Sequence, residues 1–257
     1  MRFRLSISFI AIGMACALSA WAQNEPPQQH AIQVPDGGVS GRMESIFIPP
    51  KAHAPFSLML VTEWSRPLGN SGGTFTLANE RRIVRDSKGR IYQERWILVP
   101  KGGKMKSFMD IFQITDPEQH TWYNCETAKK VCELNKYSRS TTDNFQPAIL
   151  PSGTLPDGTG VRRSDDLGIG STEGVDTHGY RETTTFNVGT MGNDQPMIAT
   201  REFWYSPQLA INLVSIVDNP QTGKQVFRVK DLSTSEPEPS YFTVPDEYRI
   251  VDRLHEQ

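Results

Sequence analysis

Apolar and polar positions alternate along this chain in short runs, separated by clusters of Gly, Pro, Asn and Asp. Period-two runs of this length predict antiparallel strands rather than helices. Residues 56–64, FSLMLVTEW, put Leu58, Leu60 and Trp64 on one face and Met59 and Val61 on the other. Both faces are apolar, so this strand predicts cover on each side. Residues 74–99 predict a long hairpin with Ser87, Lys88 and Gly89 at its tip, Gly89 taking the left-handed position of a three-residue loop. Its register sets Asp86 opposite Arg90, Val84 opposite Tyr92 and Arg82 opposite Glu94. Strands follow at 108–115 and 120–125, and a second hairpin at 165–172 and 178–188 turns at Glu173, Gly174 and Val175. Three more strands, 201–205, 211–217 and 225–229, pair with Ile216 opposite Val226, Leu213 opposite Val229 and Asp218 opposite Lys224. Short strands are expected at 43–48 and at Ile250-Val251. The Pro-rich tail between 233 and 248 is anchored by Tyr241, Phe242, Val244 and Tyr248.

The fold class that follows is mainly β: an antiparallel, strongly curved sheet or unclosed β-barrel, with strands lying beside their sequence neighbours. Residues 41–257 form one β domain. Residues 138–163 break the rhythm with Pro147, Pro151, Pro156, Gly153, Gly158 and Gly160. A segment of this length is expected to be a functional loop, packing through Phe145, Ile149 and Leu150 as a lid or one short helical turn.

The first 22 residues change the picture of where the protein works. Arg2 and Arg4 precede an apolar run from Leu5 to Leu18, and Ala20-Trp21-Ala22 closes it with small residues. This is a secretory signal peptide with cleavage expected after Ala22, placing the protein in a periplasmic or extracellular compartment. Cys16 offers a lipidation site as the alternative, against which Gly13 stands where Leu is usual. Residues 23–40 are polar and rich in Pro and Gly, a flexible leader. No other run reaches membrane-spanning length. With 27 Lys and Arg against 29 Asp and Glu, the chain carries a formal charge of −2. A mildly acidic chain without a basic block argues against nucleic acid as partner and against an anionic membrane surface.

Cys125 and Cys132 remain after export. An oxidising compartment favours a disulfide between them. Facing cysteines bring Tyr123 opposite Leu134 and Asn124 opposite Glu133, a stapled hairpin worth about 2–3 kcal/mol in the chain-entropy model. A redox pair or a metal site is the alternative. The six intervening residues do not match redox spacing, and no second Cys/His pair lies nearby.

Candidate chemistry is sparse. His30, His53, His120, His178 and His255 form no zinc motif, and there is no nucleophile elbow and no phosphate-binding loop. No catalytic residue, metal site or cofactor is assigned. Asp176 and His178 could share a strand face, as against a solvated hairpin flank, while Asp165 and Asp166 point to opposite faces. Gly168-Ile169-Gly170 lacks the third Gly of a dinucleotide fingerprint. The basic cluster Arg81, Arg82 and Arg85 invites a phosphate or headgroup reading; the alternative sets these charges on the wet face of an edge hairpin, offset by Asp86 and Glu94. Phe203 and Tyr205 share one face, with Trp204 on the other. With Trp64 and Leu213 they are the candidate ligand-binding residues, or else ordinary β core.

The stretches APFS (54–57), TEW (62–64), RDSKGRIYQER (85–95), DDLG (165–168), EGV (173–175), YRETTT (180–185), EFWYSPQL (202–209) and SEPEPSYFTVPDEYRIVD (235–252) resemble a family of uncharacterised secreted proteins of acidobacterial type. More distantly, the strand order followed by FWYSP and a Pro-rich close is similar to periplasmic lipoprotein carriers of the LolA and LppX kind. That resemblance implies a lidded, unclosed barrel holding an apolar ligand on its concave face. The disulfide hairpin and the long 138–163 loop depart from it. The expectation is a non-enzymatic exported protein binding a lipid, another apolar or amphipathic ligand, or an envelope protein. The alternatives are an envelope interaction module using exposed hairpins, such as the tip at Ser87 to Arg90, and a hydrolase without a recognisable motif.

Overall fold

In the computed structural model, residues 46–69, 72–136 and 149–255 are described. The expected signal peptide, the expected leader and the first half of the expected 43–48 strand lie outside them, as do Phe145 and the first part of the 138–163 loop. Ile46, Phe47 and Ile48 have no strand geometry.

Thirteen strands form one sheet. They are β1 (Phe56–Leu68), β2 (Gly73–Arg85), β3 (Ile91–Lys101), β4 (Lys104–Asp116), β5 (Thr121–Glu126), β6 (Val131–Lys136), β7 (Gly153–Thr154), β8 (Gly160–Thr172), β9 (Val175–Phe186), β10 (Met197–Ser206), β11 (Ile211–Asn219), β12 (Gly223–Ser233) and β13 (Arg249–Asp252). Their order in the sheet is β13-β6-β5-β4-β3-β2-β1-β12-β11-β10-β9-β8-β7. The expected registers hold: Val84 faces Tyr92, Tyr123 faces Leu134, Asn124 faces Glu133, Ile216 faces Val226 and Asp218 faces Lys224. Cys125 and Cys132 are bonded as a disulfide.

Two features differ from one continuous meander. β1 to β6 run outward from the centre, while β7 to β12 start at the far edge and return, so that β12 pairs with β1. β13 then pairs with β6 in parallel, a contact between segments far apart in sequence. The long loop is also shorter than expected, because β7 and the first residues of β8 occupy part of it. Ile149 and Leu150, expected to pack, are exposed. The 3-10 turn Pro239–Phe242 lies in the tail.

The sheet is open, its edges being β13 with four residues and β7 with two. Short edge strands give little template for pairing with another chain. A sheet this wide curls. The Arg85 guanidinium shows the direction: it donates to the Leu209 carbonyl at 2.7 Å, in the turn before β11. β11 lies three places from β2. On a flat sheet three spacings of about 4.8 Å separate them, more than one arginine side chain spans.

Each face has its own apolar cluster, because neighbours in a strand point opposite ways. Ile83 packs with Phe56, Leu58, Leu60, Ile211, Leu213, Phe227 and Val229 on the concave face. Val84 packs with Phe112, Ile114 and the disulfide on the outer face. There the tail lays Tyr241, Phe242, Val244 and Tyr248 across the cluster, Tyr241 on Tyr92 at 5.2 Å and Tyr248 edge-on to Phe112 at 5.2 Å. The four expected anchors are thus in place. Cover on both sides does not extend to β1, where Met59 and Val61 are only half-buried.

Candidate ligand-binding face

The pairing registers put the four candidate ligand residues on one face. Thr62 pairs with Phe227, Phe227 with Ser215 and Ser215 with Phe203. Alternation within β1 and β10 then adds Trp64 and Tyr205 to the same, concave side, and Leu213, at an irregularity in the β10–β11 register, joins it by packing with Ile211, Phe227 and Val229. All four are buried, with Phe203 and Leu213 at 0% exposure. They fall into three clusters. Leu213 belongs to the central cluster, Trp64 packs with Leu77, Leu98 and Phe75, and Phe203 and Tyr205 pack with Ala210 and Tyr180. Trp64 also donates from Nε1 to the Thr222 carbonyl at 2.6 Å.

Polar groups are set into this apolar face. Asn79, Arg81, Arg85, Arg95, Gln113 and Gln225 are all buried. The expectation of a wet basic cluster is corrected here. Alternation carries Arg81 and Arg85 to the side of Ile83, and only Arg82 points outward. Arg85 is a staple: Nε and Nη2 donate to the Ala54 carbonyl at 2.9 and 2.8 Å, Nη1 to the Pro49 carbonyl at 2.8 Å, and Nη2 to Leu209. Its guanidinium lies over the Phe56 ring at 4.6 Å. Burial lowers its pKa to about 10, partly countered by nearby Tyr205, so it stays charged at neutral pH. Burial likewise pushes the Tyr205 hydroxyl upward, and Arg85 opposes that shift.

Farther along, Arg95 donates from Nη2 to Gln93 at 3.2 Å and from Nε to Gln113 at 3.4 Å, and Gln113 donates to Asn124 at 2.9 Å. Asn79 replaces a missing ladder. β2 and β3 pair only over residues 83–85 and 91–93, after which Asn79 Nδ2 donates to the Trp96 carbonyl at 2.9 Å and Ser107 Oγ donates to Asn79 Oδ1 at 2.8 Å.

His178 does not use Asp176. Its Nε2 lies 2.6 Å from Asp166 Oδ1, and its Nδ1 3.0 Å from the Tyr180 hydroxyl. Tyr180 stacks on the imidazole at 4.4 Å. The Gly168 N–H and then His178 hold the Asp166 carboxyl below its usual range. Burial, then the Asp166 charge, raises the Tyr180 phenol. This chain orients the imidazole but bonds it to a phenol rather than to a Ser or Cys nucleophile. Among the described residues no three His, Cys, Asp or Glu side chains converge as metal ligands do.

The expected exposed tip at Ser87 to Arg90 is fastened instead. His53 N–H donates to the Ser87 carbonyl at 2.8 Å, Glu236 accepts from the Ser87 N–H and hydroxyl, and Gly89 is buried against the Pro50 backbone. Asp86, itself buried, pairs with Arg90 at 2.7 Å. On the outer face Trp204 lies across Gly170 and Gly179, where an added Cβ would sit 2.6 and 2.7 Å from the ring. That packing, rather than nucleotide binding, accounts for the second glycine of Gly168-Ile169-Gly170.

No family model matches the chain, and no curated protein matches it. Among solved structures it is similar to the Pseudomonas aeruginosa MucA/MucB complex, at 9% identity and TM-score 0.35 over 76% of this chain and 58% of that one. It is similar to the LolA superfamily protein NE2245 of Nitrosomonas europaea, at 9% identity and TM-score 0.27 over 74% of this chain and 90% of that one. It is also similar to LprF of Mycobacterium bovis, at 10% identity and TM-score 0.29 over 77% of this chain and 91% of that one. The chain thus spans under two thirds of the matched MucB-complex chain. A LolA superfamily protein, of the kind the sequence distantly resembles, is thus among these structures.

Proposed function

We propose that this protein is an exported, non-enzymatic carrier that holds an amphipathic ligand against the concave face of its sheet. The observation that supports this reading most is the sharing of one curled face by Trp64, Phe203, Tyr205 and Leu213 with Arg81 and Arg95. A purely structural core is more economically built from apolar side chains, since buried cations carry a desolvation cost. A face mixing aromatic walls with guanidiniums fits a molecule with an apolar body and an anionic end.

The test is native mass spectrometry of protein purified from an exporting host, before and after organic extraction. An amphiphile that leaves on extraction at near-stoichiometric yield is expected. Identical spectra before and after, together with no uptake of added fatty acid or phospholipid, would overturn the reading.

A further inference from the structure

Past the point where β2 and β3 part, residues 97–101 of β3 and 104–108 of β4 pair with each other. No other strand pairs with them among the described residues. They form a two-stranded arm with two unlike faces. The inner face is used: Leu98 is buried against Trp64 and Leu77, and Ser107 bonds Asn79. The outer face follows from the register, in which Ile97 faces Phe108, Val99 faces Lys106 and Lys101 faces Lys104. Phe108 is 42% and Val99 36% exposed, and Met105 beside the tip is 43% exposed. Lys101 lies over the Phe108 ring at 5.8 Å. Residues 97–108, ILVPKGGKMKSF, contain three lysines and no carboxylate.

We infer that the outer face of this arm docks the protein on an anionic lipid surface. Apolar residues rimmed by lysines match the boundary between headgroups and acyl chains, with the rings inserting and the ammonium groups staying among phosphates. Charge complementarity selects an anionic surface over a zwitterionic one. The size of the patch selects lipid over protein. Six side chains fall far short of the roughly 20–30 residues a side that a stable protein interface needs, whereas a membrane meets a small apolar tip without needing a shaped partner. The mildly acidic charge of the whole chain pointed away from such a surface, but charge acts over about a Debye length, and on this face it is uniformly positive. This docking does not depend on a ligand in the concave face.

The experiment is vesicle flotation of the full chain with phosphatidylcholine alone and with phosphatidylcholine mixed with phosphatidylglycerol. Binding to the mixed vesicles only is expected, weakening steeply between about 0.1 and about 1 M salt. The variant K101E/K104E/K106E should lower partitioning about a hundredfold, and Phe108→Ser should lower it with the salt dependence kept. A control, K129E/K130E, reverses exposed lysines on the disulfide hairpin and should bind as the parent does. Circular dichroism confirms that each variant is folded. The inference is overturned by equal binding to both vesicle types, by no binding, by retention in the triple variant, by equal loss in the control, or by lipid-free self-association that Phe108→Ser abolishes.

Discussion

Arg85 shows most clearly what one residue does here. Its guanidinium satisfies the carbonyls of Pro49 and Ala54, in the stretch ahead of β1, and of Leu209, in the turn between β10 and β11. Arg85→Met keeps much of the volume and strips those acceptors. A loss of about 3 kcal/mol or more is expected in urea denaturation, since each buried carbonyl left unsatisfied costs about 1–3 kcal/mol. Arg85→Lys should recover only part of it, because an ammonium lacks the planar fork. Asp166 gives a pH-dependent counterpart. Its folded pKa is lowered by the Gly168 N–H and by His178. Its contribution is therefore fully present above the unfolded carboxylate value of about 3.9 and is lost as pH falls through the lower folded value. Asp166→Asn should flatten that part of the acid limb of stability against pH; an unchanged acid limb would remove Asp166 from the account.

At the scale of elements, the β8–β9–β10 packing rests on two glycines under one indole. Gly179→Ala places a methyl within 2.7 Å of the Trp204 ring. It should cost about 1–3 kcal/mol, the usual range for overpacking. The double variant Gly179→Ala with Trp204→Ala should be less unstable than the sum of the two, and a double-mutant cycle reads the coupling. The disulfide hairpin is a second local device. Replacing Cys125 and Cys132 together by Ser should lower stability by about 2–3 kcal/mol for so short a loop, measured by thermal melts of the oxidised parent and the variant.

For the whole molecule, the tail does the work that a helix layer does elsewhere. It crosses the outer face from β12 to β13 and covers Tyr92, Phe112 and the disulfide. Removing residues 234–257 should expose that cluster and raise binding of an anilinonaphthalene dye severalfold, with aggregation along the uncovered β6 edge. A truncated chain that stays monomeric and dye-silent would show that the cover is dispensable. The concave face, by contrast, is shaped by curvature. Tyr205 feels the Arg85 charge although β10 and β2 lie four places apart in the sheet.

Local alternation, turn chemistry and cysteine spacing determined by themselves where most of the strands run, how the hairpins register and where the disulfide closes, because each of these is set by residues a few positions apart. That Phe203 and Tyr205 share one side was also legible, since period two assigns faces within a strand. Alternation placed Arg81 and Arg85 with Ile83, yet it could not say which face was wet. The strand alternates apolar and charged residues on both sides, and only the curl of the sheet and the tail decide exposure. The pairing of β12 with β1, the parallel contact of β13 with β6, and the meeting of Asp166 with His178 and Tyr180 join residues whose proximity no local rule encodes. Tertiary structure decided those, because closing long loops is repaid only when the two faces of the sheet find their separate cover.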